Sequence, residues 1–115
     1  MASTFKNAGI TVPVVDTSAG NLFTAGASAT AVIHALYISN KSTTASATVN
    51  VKVTTDGGST FYHVAKKIQI PANNTLTLDK PINLESNDVL RVVAHPLPDS
   101  SSISIEAYAS ILEIS

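Results

Sequence analysis

From residue 45 to residue 54 the chain alternates small or apolar residues (Ala45, Ala47, Val49, Val51, Val53) with polar ones (Ser46, Thr48, Asn50, Lys52, Thr54) without a break. A period of two puts these sets on opposite faces of a β-strand. The three valines need a cover, whereas the Thr/Asn/Lys face can meet water, so the pattern demands a second sheet. The neighbours predicted for this strand are residues 31–39 (AVIHALYIS) and, across the hairpin signal Asp56-Gly57-Gly58, residues 60–70. Together they read as a three-stranded antiparallel meander.

The remaining elements are also strands. Residues 10–15 (ITVPVV) predict a first strand, with Pro13 placing it at an edge or a bulge, and residues 22–24 predict a short second one. In residues 31–39 strict alternation sets Ala31, Ile33, Ala35 and Tyr37 against Val32, His34, Leu36 and Ile38, both faces apolar, as in a central strand or an interface. Residues 60–70 are long enough to bend at Lys66-Lys67. Short strands follow at 75–78 and 82–84, then an alternating one at 89–95 and a last one at 103–114. Pro96-Leu97-Pro98 cannot continue a central strand, because two prolines remove two ladder donors. Turn chemistry at nearly every boundary, with no 3.6-residue stripe, predicts an all-β fold: a single antiparallel β-sandwich, immunoglobulin-like or jelly-roll-like. Residues 1–9, small, polar and ending in glycine, predict an extended N-terminal arm that gains order only against another surface, leaving residues 10–115 as the sandwich domain.

The chain of 115 residues is long enough for one core, and with no cysteine it has neither disulfides nor thiolate chemistry. A net charge of −1 gives it no pull toward nucleic acid or an anionic membrane. The N-terminus has no apolar run and predicts no cleaved signal. Charged residues make up 13% of the chain, about half the usual share of roughly 25%. Either short Ser/Thr side chains simply suit exposed strands, or much of the surface is covered by other subunits, where Lys and Glu are depleted.

Candidate chemistry is thin. His34, His63 and His95 could in principle hold a zinc ion, but no two have the spacing of a metal motif, and they read as rim or partly buried histidines. Serine is common, yet no GxSxG elbow supports a catalytic triad. Asp16, Asp56, Asp79, Asp88 and Asp99 fall in predicted loops, where aspartate forms turns, and Asp56-Gly57-Gly58 reads as a hairpin rather than a calcium loop. With no Trp and 5% aromatics, stacking on sugars is poorly supplied. The residues predict no enzyme, no cofactor and no metal.

The segments 34–40 (HALYISN), 51–53 (VKV), 62–66 (YHVAK), 70–73 (IPAN), 76–84 (LTLDKPINL), 88–92 (DVLRV) and 107–114 (AYASILEI) resemble those of small virion structural proteins of tailed bacteriophages. The resemblance spans roughly residues 30–115 and rests on strand and turn positions. It implies a non-enzymatic β-sandwich present in many copies: a capsid decoration (cement) protein that binds the major capsid protein, or a neck, tail or baseplate component. Such a protein is assembled in the host cytoplasm and resides in the virion, with a homo-oligomer, a trimer being one form, as the expected state. The expected contacts are Thr4, Phe5 and Ile10 of the arm and Pro96, Leu97 and Pro98 of the late loop. A carbohydrate-binding host-attachment module is the alternative from another class.

Overall fold

The computed structural model describes residues 3–13, 18–44, 46–57, 59–94 and 105–114. They form two packed antiparallel sheets, a β-sandwich. The first sheet has the order β1 (Ser3–Thr11), β9 (Ile105–Ile114), β3 (Thr30–Asn40), β6 (Thr75–Leu78), with β7 (Ile82–Leu84) pairing the other half of β3. The second has the order β2 (Asn21–Thr24), β8 (Val89–Ala94), β4 (Ala47–Thr54), β5 (Phe61–Ile70). The pairs are nested: β1 with β9, β2 with β8, β3 with β6 and β7, and β4 with β5. One long antiparallel ribbon has been rolled up so that β9 also meets β3 and β8 also meets β4. Of the two topologies left open by the sequence, this is the jelly roll.

The core lies between the sheets and is filled by the period-two positions. Val49 and Val51 of β4, Leu90 and Val92 of β8, and Ala109 and Ile111 of β9 are fully buried. The strand predicted at 45–54 is observed as β4, with Ala45 outside the described residues. The short strands at 75–78 and 82–84 fall on β6 and β7.

The predicted meander is not formed. Among the described residues only β4 and β5 make a hairpin, while β3 belongs to the opposite sheet, so the chain changes sheets between β3 and β4. Alternation specifies that a strand has an inner face, but two strands in opposite sheets show the same alternation as two that are paired.

The face assignment of β3 also changes. A bulge between Ile33 and Ala35 inserts His34, after which the alternation is out of phase. Ala31, Ile33, Leu36 and Ile38 therefore all point into the core, and Tyr37 is exposed. The strand looked apolar on both faces because its inner face switches parity halfway along. The bend expected at Lys66-Lys67 is present: β5 places two residues, Lys66 and Lys67, between the partners of Val49 and Val51 where β4 has only Asn50, Lys67 has φ of 53°, and its N–H donates to Asn50 Oδ1 at 2.8 Å.

At the N-terminus the strand is Ser3–Thr11, ending before Pro13; Val14 and Val15 lie outside the described residues. The strand runs through the expected division between arm and domain at residue 9, pairing with β9 in continuous register from Ser3↔Ile114 to Thr11↔Glu106. Its pairing is carried by main-chain bonds, and seven of its nine side chains are exposed, which is why no hydrophobic alternation announced it. Gly20, in the 3-10 turn Ser18–Gly20, is required by packing, since a Cβ there would stand 2.6 Å from the Val92 carbonyl oxygen.

Two buried polar residues tie the ends of the ribbon folds. Asn40 donates from Nδ2 to the Ile70 carbonyl at 3.1 Å and accepts the Ser42 N–H at 3.0 Å, joining the end of β3 to that of β5. The Asp88 carboxyl accepts the N–H groups of Gly57 and Glu85, both at 3.0 Å, and its main-chain carbonyl accepts that of Ala25. Thr54 Oγ1 in turn accepts the Val89 N–H at 2.9 Å. Replacing Asp88 with alanine strands the part-buried donors of two loops, so Asp88→Ala is expected to lose about 2 kcal/mol of stability in urea unfolding. Asp88→Asn, which keeps one acceptor oxygen, should lose less, and a loss equal to that of Asp88→Ala would show that a single acceptor oxygen supplies none of the stabilisation.

Candidate interaction surface

The outer face of the first sheet is built by three long strands in register. From β9 it receives Glu106, Tyr108, Ser110, Leu112 and Ile114; from β3, Val32, Ala35, Tyr37 and Ser39; and from β1, Phe5, Asn7, Gly9 and Thr11. Tyr37 and Tyr108 are directly opposite one another, with ring centroids 6.3 Å apart and planes tilted by 32°. Phe5 reaches over β9 to stack on His34, again with centroids 6.3 Å apart. Cross-strand aromatic pairs stabilise a sheet modestly, and a face that keeps them in solvent exposes apolar area without burial gain.

Among the described residues of these three strands, Glu106 is the one formally charged side chain on the face, and it sits at the rim in an ion pair with Lys41 at 3.1 Å. A shallow open depression of about 400 Å³ runs between Tyr37 and Tyr108 and over Gly9 and Thr11. The outer face of the second sheet is different. There Arg91 lies over the Phe61 ring, 4.1 Å from its centroid, with Lys52 at 5.5 Å from the same ring. Arg91 Nε also donates to Asn21 Oδ1 at 2.8 Å. One face of the sandwich is cationic and internally bonded, the other uncharged and aromatic.

The residues singled out from the sequence are distributed as follows. Phe5 is 79% exposed on the aromatic face. Thr4 is exposed on the opposite side of β1, across from Glu113, and Ile10 packs partly against the core. Pro96, Leu97 and Pro98, like His95, Asp16, Asp99 and Ile103, lie outside the described residues. His34 and His63 are on different sheets, and among the described residues no three His, Cys, Asp or Glu side chains gather as a metal site. Asp56 Oδ1 accepts the N–H groups of Ser59 and Thr60 at 3.0 and 2.9 Å, closing its own loop, and these bonds hold its carboxyl below the usual range.

The tyrosine pair escaped the sequence reading. Tyr108 stands at an outward position of an alternating strand and could have been found there. Tyr37 was paired with the wrong neighbours by the His34 bulge, which leaves no mark in the alternation.

No protein-family model and no curated protein sequence matches the chain. Among solved structures, one similar chain comes from the acidic stable capsid structure of Helicobacter pylori bacteriophage KHP30, at TM-score 0.48 and 14% identity, covering 100% of this chain and 94% of that one. Another is the globular domain of zebrafish complement 1qA protein, at TM-score 0.41 and 10% identity, covering 96% and 92%. Neither match carries a functional assignment.

Strand β1, which supplies Phe5, is clamped by side chains as well as by its ladder. Lys6 Nζ bonds to Glu113 Oε1, and Glu113 Oε2 accepts the Gly26 N–H at 3.1 Å. The Lys6 bond first, then that of Gly26, lowers the Glu113 pKa below its ordinary 4.5. A lowered carboxyl pKa stabilises the fold above the ordinary value, and that contribution fades as pH falls through the lowered one. Hydrogen exchange should therefore show protection of the β1 amides falling in that acidic window. Glu113→Gln should exchange faster at neutral pH and lack the acid step; an unaltered pH profile in that variant would assign the clamp to other groups.

Proposed function

We propose that this chain is a non-enzymatic structural protein of a tailed-phage virion, acting as a capsid decoration (cement) protein. The observation that carries the reading is the uncharged aromatic outer face of the first sheet, formed around Tyr37, Tyr108 and Phe5. Interface cores are depleted of charge and enriched in tyrosine and phenylalanine, and this face has that composition while the opposite one has not. The low overall charge fits a protein whose surface is extensively covered. The strand and turn segments that resemble phage virion proteins fall on β3 to β9, seven of the nine strands of the sandwich.

The mechanism is linkage. A protein that binds an assembled capsid lattice and not its separated subunits raises the free energy of opening that lattice, in proportion to the logarithm of its concentration over Kd. Tyr37 and Tyr108 are the anchors, filling hollows of the major capsid protein, and β1 adds Phe5 at the margin. In this role the protein is assembled in the host cytoplasm and carried in the virion.

The double variant Tyr37→Lys/Tyr108→Lys should fold with stability changed by less than about 1 kcal/mol, since both rings are exposed. Its binding to undecorated particles should weaken by about 30-fold or more, the loss of at least one interface hot spot. Wild-type binding strength in that variant would remove the face from the contact. Quantitative mass spectrometry of purified particles gives the position: copy numbers comparable to the major capsid protein fit decoration, a dozen or so move the protein to the neck, tail or baseplate, and none refutes a virion role.

A further inference from the structure

Each sheet ends in edge strands whose outer N–H and C=O groups can template another strand, and natural sheets blunt such edges with bulges, lysines, prolines or shortness. Three of the four edges here are blunted. β2 spans four residues, β6 and β7 span four and three, and β5, although ten residues long, carries the kinks around Val64 and Lys66-Lys67. β1 is neither short nor bulged and holds no proline. It runs nine residues, its one charge, Lys6, is drawn to Glu113, and among the described residues nothing pairs with its outer edge.

We propose that β1 pairs antiparallel with β1 of a second copy of this chain, about a two-fold axis at Asn7, fusing the two first sheets into one. The register follows from the sequence of the strand. Residues facing each other in an antiparallel pair lie on the same side of the sheet, so each possible axis passes through a residue of β1. An axis at Lys6 sets two ammonium groups opposite each other, and one at Phe5 or Ala8 shortens the ladder. The axis at Asn7, the middle of Ser3–Thr11, uses all nine residues, sets Lys6 against Ala8, and sets Phe5 against Gly9 twice. Phe5 is 79% exposed, so its ring can turn from His34, on which it stacks within one copy, toward the free edge, and the space above Gly9 is open, a Cβ there meeting only the Ala107 carbonyl oxygen at 3.6 Å. An aromatic ring laid across a facing glycine covers the backbone that glycine leaves bare. This fit recurs by symmetry, which a strand of foreign sequence has no reason to supply, and it commits the edge to a second copy. The inference concerns the protein in solution and does not rest on the virion reading.

The chain has no cysteine, so single introduced thiols report the register directly. The full-length protein should sediment as a dimer at micromolar concentration. Asn7→Cys, at the axis, should be driven to a covalent dimer by oxidation or a short thiol-specific cross-linker. Ser3→Cys alone should not, whereas Ser3→Cys mixed with Thr11→Cys should. A wild-type chain that stays monomeric, or a dimer in which Ser3→Cys links to itself as readily as Asn7→Cys, overturns the proposal.

Discussion

Strand β9 is paired along both of its edges, with β1 on one side and β3 on the other, and the first sheet has no other bond between those two. Its inner residues are small in the middle, Ala107 and Ala109, and larger at the ends, Ile105 and Ile111, all buried. Small residues at the centre let the opposite sheet approach, and isoleucines at the ends fill the space left as the twisted sheets diverge. Its outer residues place Tyr108 beside Tyr37. Core, sheet order and aromatic face thus depend on one strand being sandwiched between two others in the correct register. A slip by one residue would bring Glu106, Tyr108 and Ser110 into the core and put the alanines in solvent.

The sequence was most informative where a strand has one wet face and no irregularity. β6, β7 and β9 are of that kind, and alternation located them to within a few residues; it also located β4 and β8, although much of their outer faces is buried. It failed where side chains do not record the pairing. β1 is held by its ladder, by Lys6 and by the partial burial of Ala8 and Ile10, so its polar, small-residue stretch read as an arm. Sheet membership is a second silent quantity, because β3 and β4 alternate alike while lying in opposite layers. Bulges are a third. The His34 insertion turned a strand with one core face into an apparent two-faced one and hid Tyr37. The bend at Lys66-Lys67 was legible in the length of residues 60–70.

The site was legible in part. Phe5 was reached through the argument that a small, polar N-terminal segment gains order against another surface, and the aromatic pair beside it needed the register of three strands. The division of the sandwich into a cationic face and an uncharged one could not be read from a net charge of −1, since totals say nothing of where charges lie. Lys52 was expected in solvent. It is buried on the outer face, where its stem and ammonium are covered along with Arg91 and the Phe61 ring. Long cationic side chains shield apolar surface in this way.

The nesting of the strand pairs also orders events in time. The β4–β5 hairpin closes over a handful of residues, whereas β1 and β9 join segments roughly a hundred residues apart. Chain entropy makes the distant pairing the slow one, and structures dominated by such contacts fold slowly. The inner pairs can form while the outermost is still searching. Since Tyr108 and Phe5 belong to that outermost pair, the aromatic face comes into existence at the last step. A partly folded chain has its hairpin tip but not yet the surface by which it could be recognised, so completion of the fold and competence for assembly coincide.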